Sequence, residues 1–421
     1  MKTRAVRLYG KDDIRLEEFE LPAIKDDEIL ARVVSDSLCM SSYKAVTQGA
    51  AHKRVPKDIA TNPVIIGHEF CGEILEVGKK WQDQFSPGQK FSIQPALNYL
   101  GSLEAPGYSF PYIGGNATRI IIPGIVMELG CLLPYEGEAF FGGSLAEPLS
   151  CVIGSYNAMY HTTPGSYVHD MGIKEGGSMA ILAGAGPMGL AAIDYILNCK
   201  RRPKTLVVTD IDDGRLERAG ALLSIEKAAK NGITLTYCNT AKQEDPTTAL
   251  LALNDGTGYD DVLVFAPVRA LVEQADKILG RDGCLNFFAG PSDPEFVASF
   301  NFYNVHYQST HLVGTSGGNT DDLIEAVEMI GKGLLNPAIL ITHIGGMNCV
   351  IEATKSLPEL PGGKKLIYNE VEMPLTAIAD FKKLGESDPF YKTLHNLTDK
   401  AGGLWNAEAE QYLLKQLVGK E

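Results

Sequence analysis

The chain has 421 residues, 45% of them apolar and 21% charged, the balance of an ordinary globular protein long enough for two domains and a tail. Lys and Arg number 38 against 52 Asp and Glu, a net charge of −14. That sign excludes a general nucleic-acid or anionic-membrane surface but leaves room for a local basic pocket.

The N-terminus, Met1-Lys2-Thr3-Arg4-Ala5-Val6-Arg7, has basic residues with no apolar run behind them, so no secretory signal is expected. Strand-like runs follow at 4–8, 14–19 and 29–34, separated by the turn signals Gly10-Lys11-Asp12 and Lys25-Asp26-Asp27, and read as antiparallel. Residues 35–44, carrying Cys39, Ser41 and Lys44, lead toward a helix. A lone cysteine is most often a small buried residue, so the meaning of Cys39 depends on its partners. The stretch Val64-Ile65-Ile66-Gly67-His68-Glu69-Phe70-Cys71-Gly72 supplies them. His68 can offer a neutral nitrogen to a metal, and Glu69 can ligate or orient. An adjacent His-Glu is commonly just surface. With Cys39 upstream and Glu147-Pro148 downstream, it becomes a three- or four-ligand set that folding could gather.

Strand-like residues resume over 69–90. Residues 98–116 are rich in Gly, Pro, Tyr and Ser and read as an exposed loop; 117–122 read as strand. Apolar residues at 145, 149, 152, 153, 156 and 160 have helical spacing, which puts Glu147 near a helix start. There a carboxylate would complement the helix dipole and a proline is tolerated, an alternative to ligand duty.

A connector with Pro164, Gly165, Gly172, Gly176 and Gly177 spans 162–177. Strands at 179–183, 206–209, 233–237, 261–265 and 284–289 then alternate with helices at 187–198, 213–223, 245–253 and 269–279. This rhythm predicts an α/β unit with a doubly wound parallel sheet. The most apolar stretch, 179–197, contains three glycines, Pro187 and Asp194, and reads as buried strand and helix, not a membrane span. Residues 320–331 form an amphipathic helix, 339–344 a short strand, and 375–421 a tail with two helical patterns, one at 407–418. The eight cysteines are scattered from 39 to 349, with no disulfide framework, so a reducing cytoplasm is expected.

Gly184-Ala185-Gly186-Pro187-Met188-Gly189 follows a strand and opens a helix. In that context it is a dinucleotide fingerprint. The first glycine permits the turn, the second admits a pyrophosphate, and the third lets helix pack on strand. The helix N-terminus offers free N–H groups to the phosphates. Asp210 ends the next strand, where a carboxylate accepts from ribose hydroxyls and repels a 2′-phosphate. NAD(H) is expected over NADP(H), softened by Arg215 and Arg218.

Taken together, Gly67-His68-Glu69 with Gly72 and Gly78, Cys39-x-Ser41, Ala146-Glu147-Pro148-Leu149, Gly114-Gly115-Asn116-Ala117 and Asp210…Arg215-Leu216…Ala219 resemble the zinc-dependent medium-chain alcohol and polyol dehydrogenases. The resemblance covers roughly residues 3–370. It implies α/β plus β architecture: a GroES-like β-barrel catalytic domain at 1–164 and 316–375, an inserted Rossmann domain at 165–315, and a helical extension at 376–421 beyond the family's usual end. It implies one catalytic zinc held by Cys39, His68 and either Glu147, the favoured ligand, or Glu69. No structural zinc is expected, because the lobe at 90–130 lacks the family's four cysteines. Ser41 would pass the alcohol proton toward ribose hydroxyls and water. Lys44 stands where many relatives carry a histidine, which puts that relay's last step in question. The expected reaction is reversible hydride transfer between NAD(H) and a small sugar-phosphate ketone, in a dimer or tetramer without nucleic-acid or membrane partners. Lys44, Lys53, Arg54 and Arg119 are the candidate phosphate contacts. Two alternatives stand beside it: a dehydrogenase of an unphosphorylated polyol or amino alcohol, and a metal-free nucleotide-binding protein without turnover.

Overall fold

A computed structural model describes residues 1–418. It divides into two compact units, one built from Met1–Pro148 and the chain from Asn319 onward, the other from Leu149–Gly318.

The first unit is mainly β. Asp13–Glu20, Lys2–Gly10 and Val64–Ile65 form a three-stranded antiparallel sheet. A larger mixed sheet is organised on Ile29–Leu38. Phe70–Val77 pairs along one side of that strand. Arg119–Ile122 pairs with the first half of its other side, and Lys364–Tyr368 with the second half. Alternate residues Ile29, Ala31 and Val33 bury into a core with Phe70, Ile74, Phe91, Ile93, Ile120 and Ile122, the period-2 pattern of a sheet with one packed face.

Residues 35–38 belong to this strand, not to a helix approach; the helix begins at Met40 and ends at Gln48. Ser35-Asp36-Ser37 hides a strand because its polar side chains are buried against partners distant in sequence. Ser144 Oγ contacts Ser35 Oγ, and Asn116 Nδ2 donates to Asp36 at 2.7 Å. The loop 98–116 contains no helix or strand, as expected, but it is not simply exposed: Ala105, Tyr108, Ile113 and Asn116 are buried.

The helix predicted from residue 145 starts earlier and spans Phe140–Asn157, with Pro148 inside it. Gly142-Gly143-Ser144 carries no apolar signal, so periodicity missed the first turns. Gly143 packs so close to Cys71 that a Cβ would stand 2.4 Å from its sulfur. Glu147 therefore lies two turns into the helix, not at its start, and the dipole explanation for this residue falls away.

The chain after 375 folds onto the same unit. Thr376–Ala377 joins the large sheet beside Ile341–Gly346. Three helices follow, Phe381–Leu384, Pro389–Lys400 and Ala407–Leu417, one more than the two helical patterns read from the sequence. Trp405 is fully buried between Tyr368 and Phe381.

The second unit is a six-stranded parallel sheet. Ser178–Leu182 is central. Thr205–Asp210 and Thr234–Asn239 extend it on one side, and Tyr259–Val264, Leu279–Phe287 and His311–Gly314 on the other. This is the doubly wound order with its switch point at the first strand. The sequence reading missed the helix Ile225–Lys230, which Ser224 caps, the helix Phe302–Tyr307 and the edge strand His311–Gly314. No helix among the described residues is long and apolar enough to cross a membrane.

Candidate active site

Cys39 ends the strand Ile29–Leu38 and caps the helix Met40–Gln48. His68 and Glu69 follow Val64–Ile65 through Gly67, which has φ +96°. A Cβ at Gly67 would stand 2.8 Å from the backbone nitrogen of Asn116, and one at Gly115 only 1.9 Å from Asp36 Oδ1. The backbone N–H groups of Gly115 and Asn116 donate to the carbonyls of Gly67 and Ile66. Gly67 and Gly114-Gly115-Asn116 are thus two sides of one clamp, which sets where His68 and Glu69 emerge.

The donor atoms of Cys39, His68 and Glu69 all lie within 4.8 Å of one another. The His68 ring is held on both nitrogens: Nδ1 lies 3.2 Å from Ser42 Oγ and Nε2 3.3 Å from Tyr108 OH. Burial pushes this imidazole down to about 4, against the upward pull of Glu69. Burial, then the charge of Glu69, pushes the Cys39 thiol up to about 12. Burial alone would raise the carboxyl of Glu69 as well, but Lys364 reverses this and holds it below its ordinary value. Both Glu69 oxygens accept from Lys364 Nζ, at 2.5 and 2.6 Å, and both residues are buried.

Glu147 is buried on its helix and lies outside the group of three, though its charge reaches Cys39, Tyr108 and Lys364. Ser41 is exposed in the first turn of the helix Met40–Gln48. Lys44 is half-buried on the helix Met40–Gln48.

In the second unit, Gly184 to Gly189 make the turn between Ser178–Leu182 and the helix Pro187–Asn198. A Cβ at Gly189 would meet the Gly184 carbonyl at 2.0 Å, whereas at Gly186 nothing stands within 4 Å. Pro187 and Met188 form the helix's first turn, half-buried. Asp210 ends the neighbouring strand and accepts from the backbone N–H of Ala185, Ile211 and Asp212, at 3.3, 2.8 and 3.2 Å. Arg215 lies exposed in the first turn of the helix Asp213–Leu222.

Two family models match this chain: "Alcohol dehydrogenase GroES-like domain" over residues 25–129 and "Zinc-binding dehydrogenase" over residues 187–332. The L-sorbose 1-phosphate reductase of Klebsiella pneumoniae is 52% identical over 412 residues, 98% of this chain and 97% of the relative. The mannitol-1-phosphate 5-dehydrogenase of Aliivibrio fischeri is 51% identical over 414 residues, 98% of both chains. The chain belongs to the zinc-binding dehydrogenases. It is an oxidoreductase with the family's GroES-like and Rossmann architecture. The crystal structure of 2R,3R-butanediol dehydrogenase from Bacillus subtilis shares that fold, with a TM-score of 0.69 at 19% identity, covering 87% of this chain and 99% of that one.

The residues present suit what such a dehydrogenase must hold. Zinc takes thiolate, imidazole and carboxylate donors, and those three types converge here. The imidazole is neutral, as a ligand must be, and the thiol is one that burial keeps protonated until a cation offsets it. At the glycine turn, the space beside Gly186 is what a pyrophosphate needs.

Sequence reasoning missed Lys364 and Tyr108. Lys364 had a signal: two lysines open the otherwise apolar run Lys364-Lys365-Leu366-Ile367-Tyr368, and a lysine inside a buried strand demands a partner. Tyr108 had none, because it lies in an irregular loop that folds back against the clamp. A Cβ at Gly107 would stand 1.9 Å from the Gly67 carbonyl.

Proposed function

We propose that this dehydrogenase reversibly transfers hydride between NAD(H) and a ketose phosphate, with L-sorbose 1-phosphate and D-glucitol 6-phosphate as the substrate pair. The observation that carries the reading is the convergence of Cys39, His68 and Glu69 donors, braced by Lys364, in a chain with half its residues identical to enzymes named for phosphorylated hexitols and hexuloses.

The segments 1–164 and 316–375 would carry the metal, 165–315 the nucleotide, and 376–421 would brace the first. Cys39, His68 and Glu147 would hold the zinc. Lys364 already engages both oxygens of Glu69, which supports Glu69 as the residue that orients the set and Glu147 as its third ligand. When bound, zinc supplies a Lewis acid for the carbonyl and the nicotinamide supplies or accepts the hydride. The chain's own residues do the rest. Ser42 holds His68 by Nδ1. Ser41, exposed at the start of the helix Met40–Gln48, passes the alcohol proton outward to water, with Lys44 one turn further along the same helix. Asp210 keeps lone pairs beyond the backbone N–H groups it accepts from. They favour ribose hydroxyls and disfavour a 2′-phosphate, hence NAD(H) over NADP(H).

The test is a set of initial rates with NADH and NADPH on L-sorbose 1-phosphate, D-fructose 6-phosphate and free L-sorbose. The highest kcat/KM is expected for NADH with L-sorbose 1-phosphate. Equal efficiency on free L-sorbose would move the assignment to an unphosphorylated polyol. No turnover by zinc-loaded protein on any of them would leave a nucleotide-binding protein.

A further inference from the structure

In a protein at −14, one segment beside the donor cluster concentrates positive charge. Lys44 stands on the helix Met40–Gln48, and Lys53 and Arg54 follow shortly after it. Their charges converge on His52: after burial, it is Arg54, Lys53 and Lys44 that push this imidazole down, to about 4. His52 is buried and stacks on Tyr108, with centroids 5.8 Å apart and planes 9° from parallel. Its Nδ1 accepts from the backbone N–H of Arg54 at 3.3 Å. A neutral ring that accepts at one nitrogen carries its proton on the other, so His52 presents an Nε2–H donor.

The Arg54 guanidinium is half-buried, 5.7 Å from the centroid of the same tyrosine ring. Its hydrogen bond, from Nη1 to the Leu103 carbonyl, is 3.5 Å long, the outer limit of such a contact. No carboxylate pairs with it among the described residues. Other arginines of this unit differ: Arg7 pairs with Glu17, Arg32 with Glu73, and Arg119, itself a candidate from the sequence, with Glu370. A partly desolvated guanidinium without a counter-ion, in an acidic protein, is suited to an incoming anion.

We propose that Arg54, with the Nε2–H of His52, seats the phosphate monoester of the substrate. The assignment rests on the ketose-phosphate reading above and names the residues that would make it selective. Arg presents a planar fork that matches phosphate oxygens two at a time, and Lys44 and Lys53 add a local positive field. Tyr108 joins this seat to the donor cluster, since its ring packs on His52 and its hydroxyl lies 3.3 Å from His68 Nε2. Phosphate binding energy gained there would align the ketone for reaction, so it raises turnover as well as affinity.

The experiment compares wild type, Arg54→Met and Arg54→Lys on L-sorbose 1-phosphate and free L-sorbose with saturating NADH. The ratio of kcat/KM, phosphorylated over free, is expected to fall about 10- to 100-fold in Arg54→Met, the value of a charge-assisted contact. It should fall less in Arg54→Lys, which keeps the charge without the fork. Inorganic phosphate is titrated against the melting temperature of each protein, and Arg54→Met should bind it about tenfold more weakly than wild type. An unchanged ratio overturns the seat, and so does phosphate binding to Arg54→Met as tight as to wild type. If wild type itself turns over the free sugar as efficiently, the ketose-phosphate reading fails instead, and the phosphate titration alone then decides Arg54.

Discussion

Lys364 and Lys365 are neighbours on one strand and have opposite surroundings. Lys364 is engaged by both oxygens of Glu69, which raise its pKa although burial alone would lower it. Lys365 donates to the carbonyls of Leu360, Pro361 and Gly363, and burial, with the adjacent charge of Lys364, pushes it down to about 8. A buried pair adds little net stability but is costly to break. Lys364→Met would leave Glu69 charged and unpaired, so a loss of about 3–5 kcal/mol is expected. Denaturant unfolding measures it; a midpoint shift within error of zero would mean that Glu69 finds another partner. At Asp210 the effect belongs to selectivity. Asp210→Ser should narrow the proposed NADH-over-NADPH preference, because a serine would not repel a 2′-phosphate, read as the ratio of kcat/KM for the two cofactors. A ratio that widened would refute the role.

The helix Phe140–Asn157 shows how an element can depend on chain far away. Its first two N–H groups, from Phe140 and Phe141, donate to the Glu410 carboxylate at 2.6 and 2.9 Å. Tyr368 OH donates to the same carboxylate at 2.8 Å, and Trp405 Nε1 donates to Tyr368 OH at 2.7 Å. Glu410 thus caps from the C-terminal extension the helix that carries Glu147. Removing it strips two helix N–H groups and a buried hydroxyl of their acceptor. Glu410→Ala is expected to cost roughly 2–4 kcal/mol, and Glu410→Gln less, since one acceptor oxygen remains. Thermal melts of the full chain decide this. If Ala and Gln cost the same, the effect lies in packing and not in the cap. Periodicity made the middle of this helix legible from 145 onward. Its start was not, because a glycine pair and a cap supplied 270 residues later have no local signature.

At the scale of the whole molecule, the candidate metal donors and the glycine turn lie in different units, one on Met1–Pro148 and the other within Leu149–Gly318. The two functions should therefore fail separately. Cys39→Ser is expected to lose zinc under a chelator that leaves wild type loaded, and to lose turnover. NADH affinity, followed by nicotinamide fluorescence, should stay within about twofold of wild type. Loss of NADH binding together with zinc would show that the glycine turn cannot bind nucleotide alone. The sequence by itself determined the α/β rhythm of the second unit and the glycine turn, and its family resemblance named Cys39, His68 and a carboxylate, Glu147 or Glu69, as candidate partners. The rhythm and the turn depend on spacing within a few residues, where side-chain period and backbone turn geometry are local properties of the chain. Only the tertiary structure decided what surrounds the candidate partners. Lys364 meets Glu69 across 295 positions of sequence, Tyr108 reaches His68 from an irregular loop, and Arg54 comes to the same tyrosine from the segment that follows the helix Met40–Gln48. Burial strengthens the first two of these contacts, and no local pattern in the chain records which distant residues will be buried together.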